Sequence, residues 1–326
     1  MDSFIFAVNA VAPIIGLVAV GYFLKKFGMF GEDFIKTANR LVFRVLLPVM
    51  LFSNVYKIEN IKNFELGYVL YALIGVALFF GIAVITSGFI TNEGSKRGTL
   101  IQGMFRSNYA LIGIPLAGSL FGEEGIKVAA VLSAFAIPLF NVLAVSALSV
   151  FGKGTAKPKE IIRDILKNPL ILGVAAGFFA LVIREIFVIC SIDFRLFDIK
   201  PAADIAGYLS SMATPLALMV LGAQFEFSAM DEMKKEIIFG TVMRCVFVPA
   251  VGIGAAYLFF ADVFSGAQFA ALTALFATPV AVSSVPMAQE MGGDPKLAGQ
   301  LIVWTTVASA FSVFFASFAL KAVGIF

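Results

Sequence analysis

The chain has 326 residues, 60% hydrophobic and 14% charged, with a formal net charge of +3 and a mean hydropathy of +0.97. There are too few polar residues to cover a soluble surface, and the absence of histidine excludes His-dependent triads, zincin motifs and histidine proton relays. Cys190 and Cys245 lie far apart with no metal-ligand spacing, so neither a disulfide nor a cluster is expected.

Ten apolar segments follow one another at 4–24, 34–56, 67–90, 99–121, 126–150, 169–189, 202–225, 237–260, 267–291 and 297–323. Each approaches the roughly 20 residues that cross a hydrocarbon core of about 30 Å. In the first, Lys25 and Lys26 follow the apolar run, the reverse of a cleavable signal peptide. Its small residues Gly16, Ala19 and Gly21 suit close helix packing. The second carries Pro48, with Arg40 and Arg44 one turn apart near its start and expected to snorkel. Between the fifth and sixth lies the longest hydrophilic interval, holding Lys153, Lys157, Lys159, Arg163 and Lys167 and expected to be a solvated linker. Lys and Arg are richer in the loops that lie inside if the N-terminus is outside, which predicts both termini outside.

The fourth segment reads FRSNYALIGIPLAGSLFG and the ninth FATPVAVSSVPMAQEMGG, each with a mid-segment proline (Pro115, Pro286) followed two residues on by alanine. At a similar offset LLPVMLFSNV in the second segment aligns with ATPLALMVLG in the seventh, Pro48 with Pro215. These matches predict an all-α integral membrane protein of ten transmembrane helices in two repeats, 1–150 and 169–326, joined by a cytoplasmic linker at 151–168. An odd number of spans per repeat inverts the second copy, the usual plan of a secondary transporter.

Proline inside a helix removes a backbone hydrogen bond, and within a membrane such a break persists only where protein or a water-filled cavity covers it. The fourth and ninth segments also carry Arg106, Ser107 and Asn108 in one and Thr278, Pro279, Ser283 and Ser284 in the other. Two broken helices at equivalent places point to a central site, where half-helix N-termini favour an anion. Arg106 near mid-membrane is costly without a partner; it either clamps a carboxylate or is held by an acidic residue or a carbonyl cage. Arg244 in the eighth segment has the same two readings. Gln289 and Glu290 are candidates for coupling to H+ or Na+, Glu290 alternatively lying in water at a helix end. No nucleotide-binding loop and no nucleophile with a base is found, which argues against an ATP-driven pump and against an enzyme.

The stretches NYALIGIPLAGSLFG (108–122), TPVAVSSVPMAQEMGGDPKLAGQ (278–300) and LLPVMLFSNV resemble the auxin efflux carrier family, which includes plant PIN-type exporters and bacterial permeases for malate, malonate and similar acids. The resemblance covers nearly the whole chain, without the long central loop of some plant members. It implies a bile-acid-transporter-like fold with a scaffold from helices 1, 2, 6 and 7 and a transport domain from helices 3–5 and 8–10. Broken fourth and ninth helices would cross at the substrate, with elevator motion of the transport domain and homodimers through the scaffold. By position, Asn108 matches an asparagine that helps bind carboxylate, Pro115 the proline ending that motif, and Pro279 the first ninth-helix proline. Ser284 stands where the plant pattern has a second proline, and Arg106 lies outside the pattern. The expectation is therefore a plasma-membrane carrier of a small organic anion, without a cofactor or nucleic-acid partner. The alternatives are a sodium-coupled carrier of a bulkier amphipathic acid and a sensor that binds an anion without moving it.

Overall fold

The computed structural model describes residues 2–58, 65–152, 157–192 and 194–326, with side chains in the first helix from residue 12 onward. Lys153 lies outside the described residues. Among those described, regular structure is helical apart from one isolated antiparallel bridge between Ser107 and Val280.

The apolar segments become helices because each is long, rich in Leu, Ile, Val, Ala and Phe, and bounded by polar or glycine residues. In chain order these are α1 (Asp2–Lys26), α2 (Glu32–Leu41), α3 (Leu47–Tyr56), α4 (Leu66–Ser87), α5 (Gly94–Phe105), α6 (Ile114–Ala147), α7 (Pro158–Lys167) and α8 (Pro169–Ile189). They continue with α9 (Lys200–Gln224), α10 (Ala229–Glu232), α11 (Lys234–Val242), α12 (Val248–Phe260), α13 (Gly266–Ala277), α14 (Ser284–Met291) and α15 (Pro295–Ala322). Among the described residues, six helical stretches are long and apolar enough to cross a membrane: Leu66–Ser87, Tyr109–Gly152, Pro169–Ile189, Lys200–Gln224, Lys234–Phe260 and Pro295–Ala322. The chain is thus an all-helical, multi-pass membrane protein. α6 itself contains a reversal at Phe121 (φ −140°) and Gly122 (φ 63°, ψ −150°). Only glycine adopts that last conformation without strain, and it falls at the boundary between the fourth and fifth predicted segments.

Four π turns interrupt the helices, at Val42–Leu46, Tyr109–Gly113, Leu148–Gly152 and Met243–Phe247. Three of them end two residues before a proline, at Pro48, Pro115 and Pro249. A proline ring clashes with the carbonyl four residues back, here that of Arg44, Leu111 or Cys245. Each of those residues lies within the widened turn, which carries its carbonyl off the ring. π turns of this kind recur at functional sites. The prolines therefore do not break the helices as the sequence predicted. Pro286 stands in the first turn of α14, where a missing N–H costs little, and Pro115 directly follows the π turn that opens its helix at Tyr109. The true interruptions lie upstream, at residues 106–108 and 278–283.

Packing is closest where small residues remove the side-chain layer. A Cβ at Gly21 would collide with the Met219 backbone, and one at Gly222 with the Val18 backbone, so α1 and α9 touch main chain to main chain. α3 lies along α8, and Arg184 of α8 donates to the carbonyls of Tyr56 (2.9 Å) and Ile58 (2.6 Å). A buried arginine thus satisfies the orphan carbonyls at the end of α3. The interval expected as a solvated linker is helical over Pro158–Lys167. α7 is started by proline at its first position and seated on the bundle by the Ser149 hydroxyl, which donates to Asp164 at 3.1 Å.

Candidate functional site

α5 ends at Phe105, and the chain runs extended through Arg106 (ψ 118°) before the π turn that leads into α6. α13 ends at Ala277, and Thr278 is likewise extended (ψ 157°). The two extended strips meet. Ser107 and Val280 form the antiparallel bridge, and the Asn108 N–H donates to the Pro279 carbonyl at 2.8 Å. Thr278 donates its hydroxyl proton to the Ala274 carbonyl (2.7 Å), so Ser107 must be the donor in the 2.7 Å contact between their hydroxyls. The Val280 N–H goes to Thr305 Oγ1 at 3.1 Å. Backbone groups freed by the two breaks thus find partners inside the protein, as the bilayer requires.

Arg244, fully buried at the α11–α12 π turn, closes the arrangement from behind. Its guanidinium donates to the carbonyls of Phe105 (3.1 Å), Leu275 (2.9 Å) and Thr278 (2.9 Å). Those oxygens belong to the ends of α5 and α13, where orphan carbonyls gather partial negative charge. Of its two readings, the carbonyl cage is the one realised.

Arg106 is different. It is 4% exposed, and its Nη2 donates to Asn141 Oδ1 (2.7 Å) and Ser283 Oγ (2.9 Å), while Nη1 meets the Met287 sulfur. These partners are all neutral. Its guanidinium edges a cavity of about 370 Å³ that Ser107, Asn108 and Ser283 also line. Asn108 Nδ2 is buried there without a hydrogen-bond partner, and such a donor carries a desolvation cost until something accepts from it. The sequence reading missed the remaining polar lining: Asn54, Lys57, Asn141, Ser210, Ser211 and Thr214. Lys57 is exposed at the cavity's open end, with its ammonium 5.9 Å from the Phe197 ring centre. Two cations therefore share the cavity, and no Asp or Glu is among its described lining residues.

The other expected site residues are placed elsewhere. Thr278, Pro279 and Ser284 pack behind the wall; Pro115 lines an adjoining, more apolar cavity of about 550 Å³ with Pro13, Ile14, Leu17 and Pro215. Gln289 lies in an amide cluster, its Oε1 accepting from Asn39 Nδ2 (2.5 Å) and Gln224 Nε2 (3.2 Å). Glu290 is partly shielded rather than free in water and pairs with Arg44 at 3.3 Å. Arg44 itself stays well exposed, with 60% of its side chain accessible.

The family described as membrane transport protein matches residues 6–148 and 156–317. The chain is 24% identical to an uncharacterized transporter of Methanothermobacter thermautotrophicus over 95% of its own length and 97% of that protein's. It is 29% identical to an uncharacterized transporter of Methanocaldococcus jannaschii over 74% of its length and 76% of the relative's.

Proposed function

Because the chain belongs to the membrane transport protein family, that of the auxin efflux carriers, we propose that it is a secondary transporter carrying a small mono- or dicarboxylate. The observation that carries this reading is the pair of cations, Arg106 and Lys57, in one cavity with no Asp or Glu among its described lining residues. A buried guanidinium with only neutral partners is stabilised by an incoming carboxylate. The unpartnered Asn108 amide N–H supplies a further donor, and the N-terminal turns beyond both breaks add positive potential. Lys57 at the mouth attracts anions and suits a second carboxylate.

In this reading the ten helical segments form two inverted five-helix repeats in the plasma membrane, with both termini outside. Segments 1, 2, 6 and 7 make a scaffold that pairs into a homodimer. Segments 3–5 and 8–10 move against it as an elevator, carrying the wall of Arg106, Asn108 and Ser283. Gln289 and Glu290 then lie at the sliding boundary, facing Asn39, Gln224 and Arg44 of the scaffold, and H+ or Na+ supplies the coupling.

A second reading, a carrier of a bulkier amphipathic acid, is favoured by the adjoining cavity. The two cavities share Met50, Leu111, Ser210, Ser211 and Thr214, so an apolar tail has a place beside the polar chamber. Solid-supported-membrane electrophysiology on proteoliposomes tests both. Malate, malonate, succinate, lactate and indole-3-acetate would be compared with and without sodium and a pH gradient. Saturable current with the small acids supports the first reading, and with indole-3-acetate alone the second. Silence here and in tritiated counterflow removes both.

A further inference from the structure

α7 has an outward face that neither the fold nor the candidate site uses. Its inner side, with Ile161, Asp164 and Ile165 partly buried, rests on the bundle, and Asp164 accepts from Ser149. At about 3.6 residues per turn, the outward half passes from Ile162 and Leu166 through Lys159, Arg163 and Lys167 to Glu160. Ile162 is 57% and Leu166 64% exposed, and Lys159, Arg163, Lys167 and Glu160 are exposed as well. An apolar edge is thus bordered by a basic one, and the outward acid lies on the far side.

Chain connectivity fixes the depth of this helix. It ends at Lys167, and after Asn168 the apolar α8 begins at Pro169. The Asn168 side chain accepts from the Leu170 N–H at 2.9 Å and meets the Met291 sulfur, pinning the corner. α7 therefore meets the bilayer at its polar boundary. An amphipathic helix with basic residues beside an apolar edge lies in that boundary, its apolar side chains below the headgroups and its cations among them.

We infer that α7 is a membrane-surface element that binds the anionic headgroups of phospholipids through Lys159, Arg163 and Lys167, with Ile162 and Leu166 inserted beneath them. Charge complementarity selects anionic over zwitterionic lipid, because each basic side chain near an anionic surface adds about fivefold to its attraction. The contact weakens as salt screens it.

The full-length chain in phosphatidylcholine vesicles, doped with spin-labelled phosphatidylglycerol or spin-labelled phosphatidylcholine, gives the test by electron paramagnetic resonance. The expected result is a larger motionally restricted fraction for the phosphatidylglycerol label, falling as salt rises. Lys159→Gln, Arg163→Gln and Lys167→Gln combined should reduce that preference at least several-fold, whereas Lys159→Arg with Lys167→Arg should keep it. Equal fractions for the two labels, or a preference that survives neutralisation, overturns the inference. Should the triple variant not fold, Leu166→Cys in a Cys190→Ser background, labelled with nitrobenzoxadiazole, answers independently. A blue-shifted emission quenched by spin-labelled lipid is expected, and the emission of a fully aqueous probe overturns the inference.

Discussion

Asn39 Nδ2 donates to Gln289 Oε1 at 2.5 Å, joining α2 to α14 across 250 positions of sequence. Asn39 also donates to Gln224 Oε1 at 3.0 Å, and one turn further along the chain Arg44 meets Glu290. These ties lie at the end of the molecule away from Lys57. There they close the space between α2, α9 and α14, while the cavity opens at the other end.

Under the proposed motion these contacts hold the closed side, so weakening them shifts the population. Glu290→Gln removes an ion pair whose arginine is well exposed, a contribution of about 0.2–1 kcal/mol. A cysteine placed at Gln224, with Cys190 and Cys245 replaced by serine, should then react with an impermeant maleimide about 1.4- to fivefold faster. An unchanged labelling rate would remove the closing role.

Arg106 gives the sharpest test of the binding cavity. Arg106→Gln leaves Asn141 and Ser283 a neutral partner but removes the charge. Hydrogen bonds to a charged group are worth about 1.5–3 kcal/mol, so apparent affinity for the transported acid should fall at least tenfold in counterflow. Retained affinity in both Arg106→Gln and Asn108→Ala places the substrate elsewhere.

Lys57 should act on charge rather than on binding as such. Lys57→Gln is expected to weaken uptake of a dicarboxylate several-fold while leaving a monocarboxylate nearly unchanged, and the difference should shrink at high ionic strength. A parallel loss for both acids would indicate a structural role at the cavity mouth.

Arg244 is predicted to matter for stability. Arg244→Met strands three buried carbonyls and should destabilise the protein by about 3–5 kcal/mol, read as a lowered denaturation midpoint in detergent. Arg244→Lys keeps the charge without the planar fork and should fall between the two. If Arg244→Met and wild type unfold together, the three contacts carry no net stability.

The helical segments were legible in the sequence because spanning length and apolar composition leave few alternatives, and the polar runs at Arg106–Asn108 and Thr278–Ser284 marked the breaks. The prolines misled: Pro286 stands in the first turn of its half-helix and Pro115 follows the π turn that opens the other, and only the backbone reveals the π turns that relieve Pro48, Pro115 and Pro249. Of the residues that line the cavity, Arg106, Ser107, Asn108 and Ser283 were named from the sequence, whereas Asn54, Asn141, Ser210 and Thr214 were not. Each of these is a polar side chain on an otherwise apolar helix, and that was the available signal. Lys57 read as a loop residue. The roles of Arg184 and Arg244 depend on which carbonyls lie across from them, and local sequence carries no trace of that.

The three bonds from Arg244 also limit how the molecule can move. One planar group on the 234–260 helix grips the ends of α5 and α13 together, so neither half-helix can slide along its axis alone without breaking a bond in a place that offers no water. Any displacement of the cavity wall that keeps these bonds is therefore a displacement of at least three helices as a single block, with the bridge between Ser107 and Val280 carried unchanged inside it.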